Sequence, residues 1–306
     1  MENRTLVIIN PQAGSGRAVD LHKTLPAGVQ RAFGGAVQAE VTQRAEDVLP
    51  LVQQAHADGV QRVLGVGGDG TNHSLVNAIM QAHDAQPDRP PLAFGCVPVG
   101  TGRDWARGLG MPLDDPEATV RWLSKRTAKP TDVVQLSLDD ALPRHLLNIA
   151  STGLGGEVDR RVNAQPVRRP WTFTQATVSA ILSYTPQLTR VMVDGDLWYE
   201  GGSYVIVVAN GNTFGHGMRI APRAAVEDGL LDVVVVQAVS RWALLMALRR
   251  VYSGTHLTHP AVRHTQAARV EVVSPNGTLP LDIEGEHAQA QRLTFRVRPG
   301  ALPVIR

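Results

Sequence analysis

Apolar and amphipathic segments alternate along the first part of the chain. Short apolar runs of strand length are followed by segments whose apolar positions recur every three or four residues, as on one face of a helix. Alternation of this kind requires crossover connections, so it predicts a parallel sheet with helices on both faces. The predicted strands are residues 5–9, 36–41, 62–66 and 92–97, and the predicted helices are residues 18–33, 45–57, 72–82 and 115–126.

The pattern changes near residues 129–132, and strand-like runs dominate from there. A strand-rich second domain, organised as a sandwich, is the simplest interpretation. We therefore predict an α/β domain at residues 1–131 and a β-rich domain at residues 132–306, with a return of the last strand to the first domain left open. The second domain's predicted strands are residues 132–138, 146–150, 190–193, 203–210, 231–236, 268–273, 279–283 and 293–297, and its helices are residues 172–184 and 240–253.

Composition and charge narrow the function classes. A chain of 306 residues suits two domains, because single cores rarely grow beyond about 250–300 residues. A formal net charge of +2 gives no nucleic-acid footprint, so no nucleic-acid partner is expected. Cys96 is the single cysteine, which excludes an intramolecular disulfide and a Cys-rich zinc site and fits a reducing cytoplasm. Its apolar surroundings predict a buried structural thiol.

Nothing in the sequence predicts a membrane span. The apolar run at residues 6–9 is too short for a signal peptide, and no stretch reaches the roughly 18 apolar residues of a spanning helix. Two segments, residues 167–184 and 241–252, combine basic, aromatic and apolar residues. They predict either contact with a membrane interface or helices that pack on the core with solvated arginines, and both interpretations stay open.

Three glycine-rich turns follow predicted strands of the first domain, at residues 10–17, 65–71 and 99–105. In a parallel sheet, ligands bind beyond the carboxyl ends of the strands, and glycines let the backbone approach them closely. Successive N–H groups with a helix N-terminus behind them hold phosphate oxygens. Three such turns in one domain therefore predict a phosphate-binding site.

Two common phosphate motifs do not fit. No Gly-Lys pair occurs in the chain, which argues against a P-loop. Residues 65–70 match G-x-G-x-x-G, but the acids at the expected spacing, Asp84 and Asp88, fall in a predicted loop rather than at a strand end. Asp69 inside the turn would repel phosphate unless it handles a cation or a proton. The alternative is that Asp69 caps the following helix.

The sequence around Asp69 resembles the GGDGT loop of the diacylglycerol kinase catalytic-domain family. That family includes bacterial lipid kinases, sphingosine and ceramide kinases and, more distantly, NAD kinases and phosphofructokinases. Four further segments match the family pattern in the same order, so the resemblance covers nearly the whole chain. They are Asn-Pro-Gln-Ala-Gly-Ser-Gly at residues 10–16, Pro-Val-Gly-Thr-Gly-Arg-Asp-Trp-Ala at 98–106, the segment 210–232 ending in Asp-Gly-Leu-Leu-Asp, and Ile-Glu-Gly-Glu at 283–286.

The resemblance implies an NAD-kinase- and phosphofructokinase-like fold with ATP in a cleft between the two domains. Glu286 matches the general base, and Asp69, Asp104 and Asp132 match an acidic network that binds Mg²⁺ through water. Asp228, with the carbonyls of Ala225 and Leu230, matches a second, structural magnesium site, although Asp-Gly is also a common turn. The matched nucleotide-binding residues are Asn10, Pro11, Gly14, Ser15, Gly16, Thr42, Gly67, Gly68, Asp69, Gly70, Thr71, Asn72, Thr101 and Asp104.

The chain departs from the family pattern at three positions. Arg103 stands in place of Asn, Trp105 in place of Phe and Glu284 in place of Asp. Trp105 keeps an aromatic anchor and Glu284 keeps the charge. Arg103 adds a positive charge that we expect beside the nucleotide.

The resemblance implies an ATP- and Mg²⁺-dependent lipid kinase of the diacylglycerol type, active in phospholipid metabolism. Such an enzyme would be cytoplasmic and touch the inner face of the membrane transiently to reach its lipid. Two alternatives remain open: an NAD kinase, which shares the GGDGT loop, and a nucleotide-binding regulator without activity. The sequence leaves open which lipid is the acceptor and whether the chain forms a homodimer.

Overall fold

The computed structural model describes residues 4–14, 16–100, 102–165 and 171–306. The chain forms two compact units, Met1–Val133 with Pro299–Arg306, and Val134–Arg298. The helices are α1 Arg17–Phe33, α2 Val48–Ala57, α3 Asp69–Ala85, α4 Asp104–Gly108, α5 Pro116–Ser124, α6 Leu154–Asn163, α7 Thr172–Ser183 and α8 Arg241–Ser253. The strands are β1 Arg4–Ile9, β2 Ala36–Val41, β3 Arg62–Gly67, β4 Ala93–Pro98, β5 Ala128–Leu138, β6 Arg144–Leu146, β7 Ile149–Gly153, β8 Gln187–Val193, β9 Asp196–Ala209, β10 Leu231–Gln237, β11 Val262–Ala267, β12 Arg269–Val273, β13 Leu279–Ile283, β14 Glu286–Ala290 and β15 Arg292–Ile305.

The first unit is built on a parallel sheet. β1 lies between β2 and β3, β4 pairs with β3, and the end of β15 pairs with β4 at Val304 and Phe94, all in parallel. β1, β3 and β4 are apolar runs because most of their residues are buried, as in Leu6 through Ile9 of β1, whereas β2 is largely exposed. Helix α1 packs against α5, and α2 against α3. The predicted α/β domain with parallel strands is confirmed.

The second unit is antiparallel and β-rich, as predicted. Its strands follow the order β14–β13–β7–β9–β8–β12–β15, and β10 pairs with β9 and β11. A core of buried Val, Leu, Ile and Phe side chains lies on this sheet. Three helices form a layer that we call the helical layer: α6 packs on β13 and β14, α7 packs on α6, and α8 packs on α7.

Several predicted boundaries are wrong for local reasons. The helix predicted at residues 45–57 is a 3-10 turn, Ala45–Asp47, followed by α2. The strand predicted at residues 146–150 is two strands, β6 and β7, because the N–H groups of Leu147 and Asn148 donate to a glutamate side chain instead of a neighbouring strand. Helix α3 begins three residues earlier than predicted, at Asp69.

None of the helices in the described ranges combines the length and hydrophobicity that a membrane crossing requires.

Candidate active site

The three glycine-rich turns of the first unit meet at the carboxyl ends of β1, β3 and β4. The N–H of Asn10 donates to Val66 O at 3.0 Å, and the Asn10 amide donates to Thr71 Oγ1 at 3.0 Å. The N–H of Val99 donates to Gly67 O at 2.9 Å. These bonds join the turn after each strand to the turn after β3, so the sheet places all three at one edge.

The turns approach each other so closely that side chains would not fit. A Cβ on Gly100 would lie 2.7 Å from Gly68 Cα, well inside van der Waals contact. A Cβ on Gly14 would overlap the carbonyl oxygen of Val99, and Gly14 also has a φ of +62°. Glycine is therefore required at these positions by packing as well as by backbone conformation. The result is a backbone-lined edge of the kind that binds phosphate.

Helix α3 begins inside the second turn. Its N-cap, Gly68, has no side chain to accept from the first N–H groups of the helix. The helix dipole and these N–H groups give the turn a partial positive charge, which favours an anion. Gly67, Gly70 and Thr71 belong to the same turn, and Pro11 and Gly16 belong to the turn after β1.

Asp69 caps a helix, but not the one that follows it in sequence. Its carboxylate accepts from the N–H of Asp104 at 3.2 Å and the N–H of Trp105 at 3.5 Å, the first two residues of α4. The cap interpretation is therefore wrong for α3, where Asp69 is the first helical residue, and holds for α4. The charge of Asp69 thus lies between the second and third turns.

Asp104 is buried and is paired with an arginine that the sequence analysis missed. Arg107 donates to the Asp104 carboxylate at 2.5 Å and to Gly102 O at 3.0 Å. The i,i+3 spacing of the two residues was a signal for this pair, but only once α4 was recognised as a helix. At five residues α4 is too short to show a period.

Arg103 is turned toward a neighbouring loop. It has a φ of +55°, and its guanidinium donates to Leu113 O at 2.5 Å and to the Asp114 carboxylate at 2.8 Å. The positive charge of Arg103, which the sequence analysis expected beside the nucleotide, is therefore paired with Asp114.

Two buried polar atoms at this edge have no hydrogen-bond partner among the described residues, Asn72 Oδ1 and Trp105 Nε1. Their residues are 8% and 4% exposed. Because buried polar atoms are nearly always satisfied, such orphans at a site indicate a missing partner. An acceptor oxygen and a donor nitrogen next to a phosphate-type turn fit a polar ligand such as a nucleotide.

The other predicted nucleotide residues are placed as follows. Thr42 follows β2, is buried, and its N–H and hydroxyl both donate to Ile9 O, at 3.1 and 3.4 Å. Ser15 and Thr101 lie outside the described residues. Cys96 is buried below the turns, where burial and the charge of Asp69 raise the pKa of its thiol to about 12, so it is inert as predicted.

The structure gives the surroundings of Asp132, one of the residues predicted for the magnesium network. Asp132 is buried in β5 and accepts from the N–H of Gly300 at 2.7 Å. Within the described residues, no group of three or more His, Cys, Asp and Glu side chains is arranged to hold a metal. The oxygen donors present suit Mg²⁺ by type, since this ion usually takes one or two carboxylates and completes its shell with water and phosphate.

The Asp228 segment has the geometry of a turn. Asp228 accepts from the N–H of Leu230 at 3.0 Å, and Gly229 between them has a φ of +73°. Ala225 and Asp228 are exposed. This is the Asp-Gly turn that the sequence analysis held open beside the structural magnesium site, which stays a prediction.

Glu286 begins β14, directly after the tight turn of the β13–β14 hairpin. The turn residues Glu284 and Gly285 have φ values of +54° and +90°, the signature of a type I′ turn. Asp282 accepts from the N–H of Gly285 at 2.8 Å and closes the turn. Glu286 is thus presented at a hairpin end, half-buried, on a rigid element of the second unit.

Glu284 anchors that hairpin. Its carboxylate accepts from the N–H of Asn148 at 2.6 Å and the N–H of Leu147 at 2.9 Å. Asn148 in turn donates to Thr213 O at 3.0 Å, and Asn210 donates to Leu147 O at 2.7 Å. The sequence analysis missed Asn148, for which the signal was one amide within the apolar run at residues 146–150.

Comparison with known proteins identifies both units. Residues 4–136 match the family model described as diacylglycerol kinase catalytic domain. Residues 148–306 match the model described as YegS C-terminal NAD kinase beta sandwich-like domain.

Relatives match along nearly the whole chain. A probable lipid kinase YegS-like of Xanthomonas campestris is 30% identical over 274 residues, which cover 88% of this chain and 86% of that protein. A diacylglycerol kinase of Mycobacterium tuberculosis is 27% identical over 99% of this chain and 95% of its own length. The crystal structure of a putative diacylglycerol kinase from Bacillus anthracis has the same fold, with a TM-score of 0.76 at 22% identity, over 99% of this chain and 97% of that one.

Proposed function

Because the chain belongs to the diacylglycerol kinase catalytic-domain family, we propose that it transfers the γ-phosphate of ATP to the hydroxyl of a lipid of the diacylglycerol type. Membership of a kinase family supports a phosphotransferase activity. The lipid acceptor and the use of ATP are parts of the proposal. The relatives named lipid kinase or diacylglycerol kinase support a lipid acceptor.

The observation that carries the proposal is the glycine-lined edge of the first unit. Gly14, Gly68 and Gly100 bring three turns together without side chains, at the N-terminus of α3. Such an edge suits a polyphosphate, because backbone N–H groups can donate hydrogen bonds to the phosphate oxygens. The unpartnered Asn72 Oδ1 and Trp105 Nε1 support a ligand with polar groups beyond its phosphates.

The residues have distinct roles in the proposed transfer. The carboxylate of Glu286 accepts the proton of the lipid hydroxyl, whose oxygen forms a bond to the γ-phosphorus. The bond from that phosphorus to the β,γ-bridging oxygen breaks, and the electron pair leaves with ADP. The α3 N-terminus neutralises charge on the transferring group, which is the main catalytic requirement of phosphoryl transfer.

Mg²⁺ bound with the nucleotide would neutralise phosphate charge. Asp69 is the carboxylate that we propose would hold it, because Asp69 lies in the turn itself, while Asp104 is paired with Arg107. Asp132 contributes through water in this proposal, and a structural ion at Asp228 is a separate prediction.

The proposal is tested with Glu286→Gln. The amide cannot accept the hydroxyl proton, so turnover of ATP with a diacylglycerol substrate should fall roughly 10²-fold or more while ATP affinity is unchanged. Glu200→Gln is the matched control, because Glu200 is a partly exposed strand residue that pairs with Arg190. Steady-state kinetics and equilibrium nucleotide binding give the two readouts. Near-wild-type turnover in Glu286→Gln would remove Glu286 from the base role.

A further inference from the structure

One face of α8 exposes large apolar side chains. Trp242 is 75% exposed, and Met246, one helical turn later, is 79% exposed. Arg241, Arg249 and Tyr252 are also exposed and flank or continue this stripe. We call these five residues the α8 outer face. Contiguous exposed apolar residues on a helix mark an interaction surface more often than scattered ones do.

The opposite face of α8 is already used for packing. Leu244 and Leu245 pack against the buried cluster of α6 and α7, and Val251 packs against a cluster that includes strand residues of β9 and β10. The helix is also capped at both ends, by the Ser240 hydroxyl and by Gly254, whose φ is +73°. The α8 outer face is therefore exposed on a helix whose folding contacts are complete.

The chain segment that contains α8 carries formal charge of one sign. Residues 233–270 contain five arginines and no aspartate, glutamate or lysine. Arg250 is held by Thr258 Oγ1 at 2.9 Å, whereas Arg241 and Arg249 form no ion pair within the described part of the chain. A partner with negative charge at its surface is complementary to this segment.

Tryptophan, methionine and arginine on one exposed helix face suit the boundary between lipid headgroups and acyl chains. The aromatic and apolar side chains enter the boundary, while arginines pair with anionic headgroups. A protein partner would match the apolar stripe, but the run without acids favours a surface on which negative charge is spread continuously. The combination therefore favours an anionic membrane.

The packing order connects this face to the hairpin that carries Glu286. Helix α8 packs on α7, α7 on α6, and α6 on β13 and β14. Glu157 of α6 accepts from Arg161, which also donates to Ser179 and Ser183 of α7, so these two helices are joined by polar contacts as well. A surface bound by α8 is thus linked through the helical layer to the proposed base.

We propose that the α8 outer face docks the protein on a membrane that contains anionic lipids. The inference rests on the proposed lipid kinase function, because an acceptor in a bilayer requires the enzyme to reach that bilayer. Residues 166–170, which the sequence analysis grouped with a second basic and aromatic segment, lie outside the described residues and are not part of the docking face.

The test is vesicle flotation with the full chain, without ATP. Wild-type protein should bind phosphatidylcholine vesicles that also contain phosphatidylglycerol and should not bind phosphatidylcholine alone. The double variant Arg241→Gln with Arg249→Gln should bind roughly thirtyfold more weakly, because it loses two arginine contacts with anionic headgroups. Trp242→Ser with Met246→Ser should weaken it about tenfold or more.

Two control variants and one activity assay keep the outcomes distinct. Leu142→Ser removes an 88% exposed apolar side chain outside α8, and Arg121→Gln removes a 60% exposed arginine of α5; both should bind vesicles like wild type. All variants should phosphorylate a water-soluble short-chain diacylglycerol at the wild-type rate, which tests the proposed function separately from docking.

The docking proposal would be overturned by vesicle binding that does not depend on phosphatidylglycerol, or by binding that is unchanged in both α8 double variants. A wild-type dimer that dissociates in the Trp242 and Met246 variant, with vesicle binding unchanged, would also overturn it and assign the face to a second copy of the chain. If the wild-type protein does not phosphorylate the short-chain diacylglycerol, that result would instead contradict the proposed function.

Discussion

At the residue scale, Asp69 has a structural and a proposed chemical role. Its carboxylate accepts the first two N–H groups of α4, so it holds the third glycine-rich turn against the second. The same carboxylate is the one we propose for Mg²⁺. A substitution that removes the side chain would therefore mix both effects.

The two roles of Asp69 can be separated with Asp69→Asn. The amide oxygen still accepts a hydrogen bond from α4, so the melting temperature should stay close to that of wild type. The lost charge should reduce turnover roughly 10²-fold or more, as expected when charge stabilisation of the transferring group is removed. Asp69→Ala should lose both stability and turnover. If Asp69→Asn turns over like wild type, the carboxylate is only a helix cap.

Gly100 tests the close approach of the turns. In Gly100→Ala the Cβ would lie 2.7 Å from Gly68 Cα, so the two turns must separate. A shift of this size at a phosphate site should lower kcat by roughly 10²-fold. Gly28→Ala is the matched control, since Gly28 lies in α1 with room for a Cβ, and it should raise stability slightly. Wild-type kinetics for Gly100→Ala would show that the turns do not need this contact.

At the scale of elements, the β13–β14 hairpin depends on Glu284. Glu284→Ala leaves the N–H groups of Leu147 and Asn148 without their acceptor, which should lower the free energy of unfolding by about 2 kcal/mol. Turnover should fall as well, because Glu286 is two residues away on the same hairpin. Glu284→Gln retains an acceptor oxygen and should be milder in both respects. Denaturant unfolding and kinetics of the two variants measure this, and equal effects would contradict an anchoring role.

The α6–α7 contact should depend on pH. The hydrogen bond from Arg160 is the largest cause that lowers the pKa of Glu157, from 4.5 to about 2. Partial burial acts in the opposite direction, and the hydrogen bond from Arg161 lowers the pKa further. A carboxyl with a lowered folded pKa stabilises the fold above its unfolded pKa, and this stabilisation is lost as pH falls toward the folded value.

Glu157→Gln measures that contribution. At neutral pH the variant should be less stable than wild type by an amount on the order of 1 kcal/mol, since its arginine partners are partly exposed. The difference should shrink as pH falls from about 4.5 toward 2. Urea unfolding of both proteins across this range is the measurement. A difference that stays constant with pH would show that the charge of Glu157 is not the cause.

The sequence predicted elements that have a strong period or a complete turn signal. Strands β2 and β13 match their predicted bounds, and α5 begins after Asp115, whose side chain accepts from the N–H of Ala118 at 3.0 Å. The three turns were predicted together because each combined glycines with a strand end. The GGDGT resemblance then indicated the family.

Elements whose cause lies in tertiary contacts were missed. Helix α6 contains Gly155 and Gly156, which lower helix propensity, and Gly156 is needed because a Cβ there would overlap the backbone of Pro280 and Leu281. The first half of β9 was missed, although Asp194 and Gly195, both with positive φ, form the Asp-Gly turn that precedes it. The role of Asp69 as a cap of α4 was missed, because its bonds to α4 join residues that are 35 and 36 positions apart.

At the scale of the whole molecule, the two units divide the proposed work. The first supplies a backbone-lined phosphate edge, and the second supplies Glu286 on a hairpin and the helical layer. Residues 4–136 match the catalytic-domain model and residues 148–306 match the C-terminal-domain model, so the two matches follow each other along the chain.

The most direct test of the central claim is transfer of label from γ-labelled ATP in the presence of Mg²⁺. Mixed micelles would carry diacylglycerol, monoacylglycerol, a sphingosine-type base, ceramide or an undecaprenol-type alcohol, and a parallel tube would contain NAD. The account predicts label in one lipid, with none in NADP and none in the Glu286→Gln reaction. Label in NADP alone, or no label in any acceptor while ATP still binds, would contradict it.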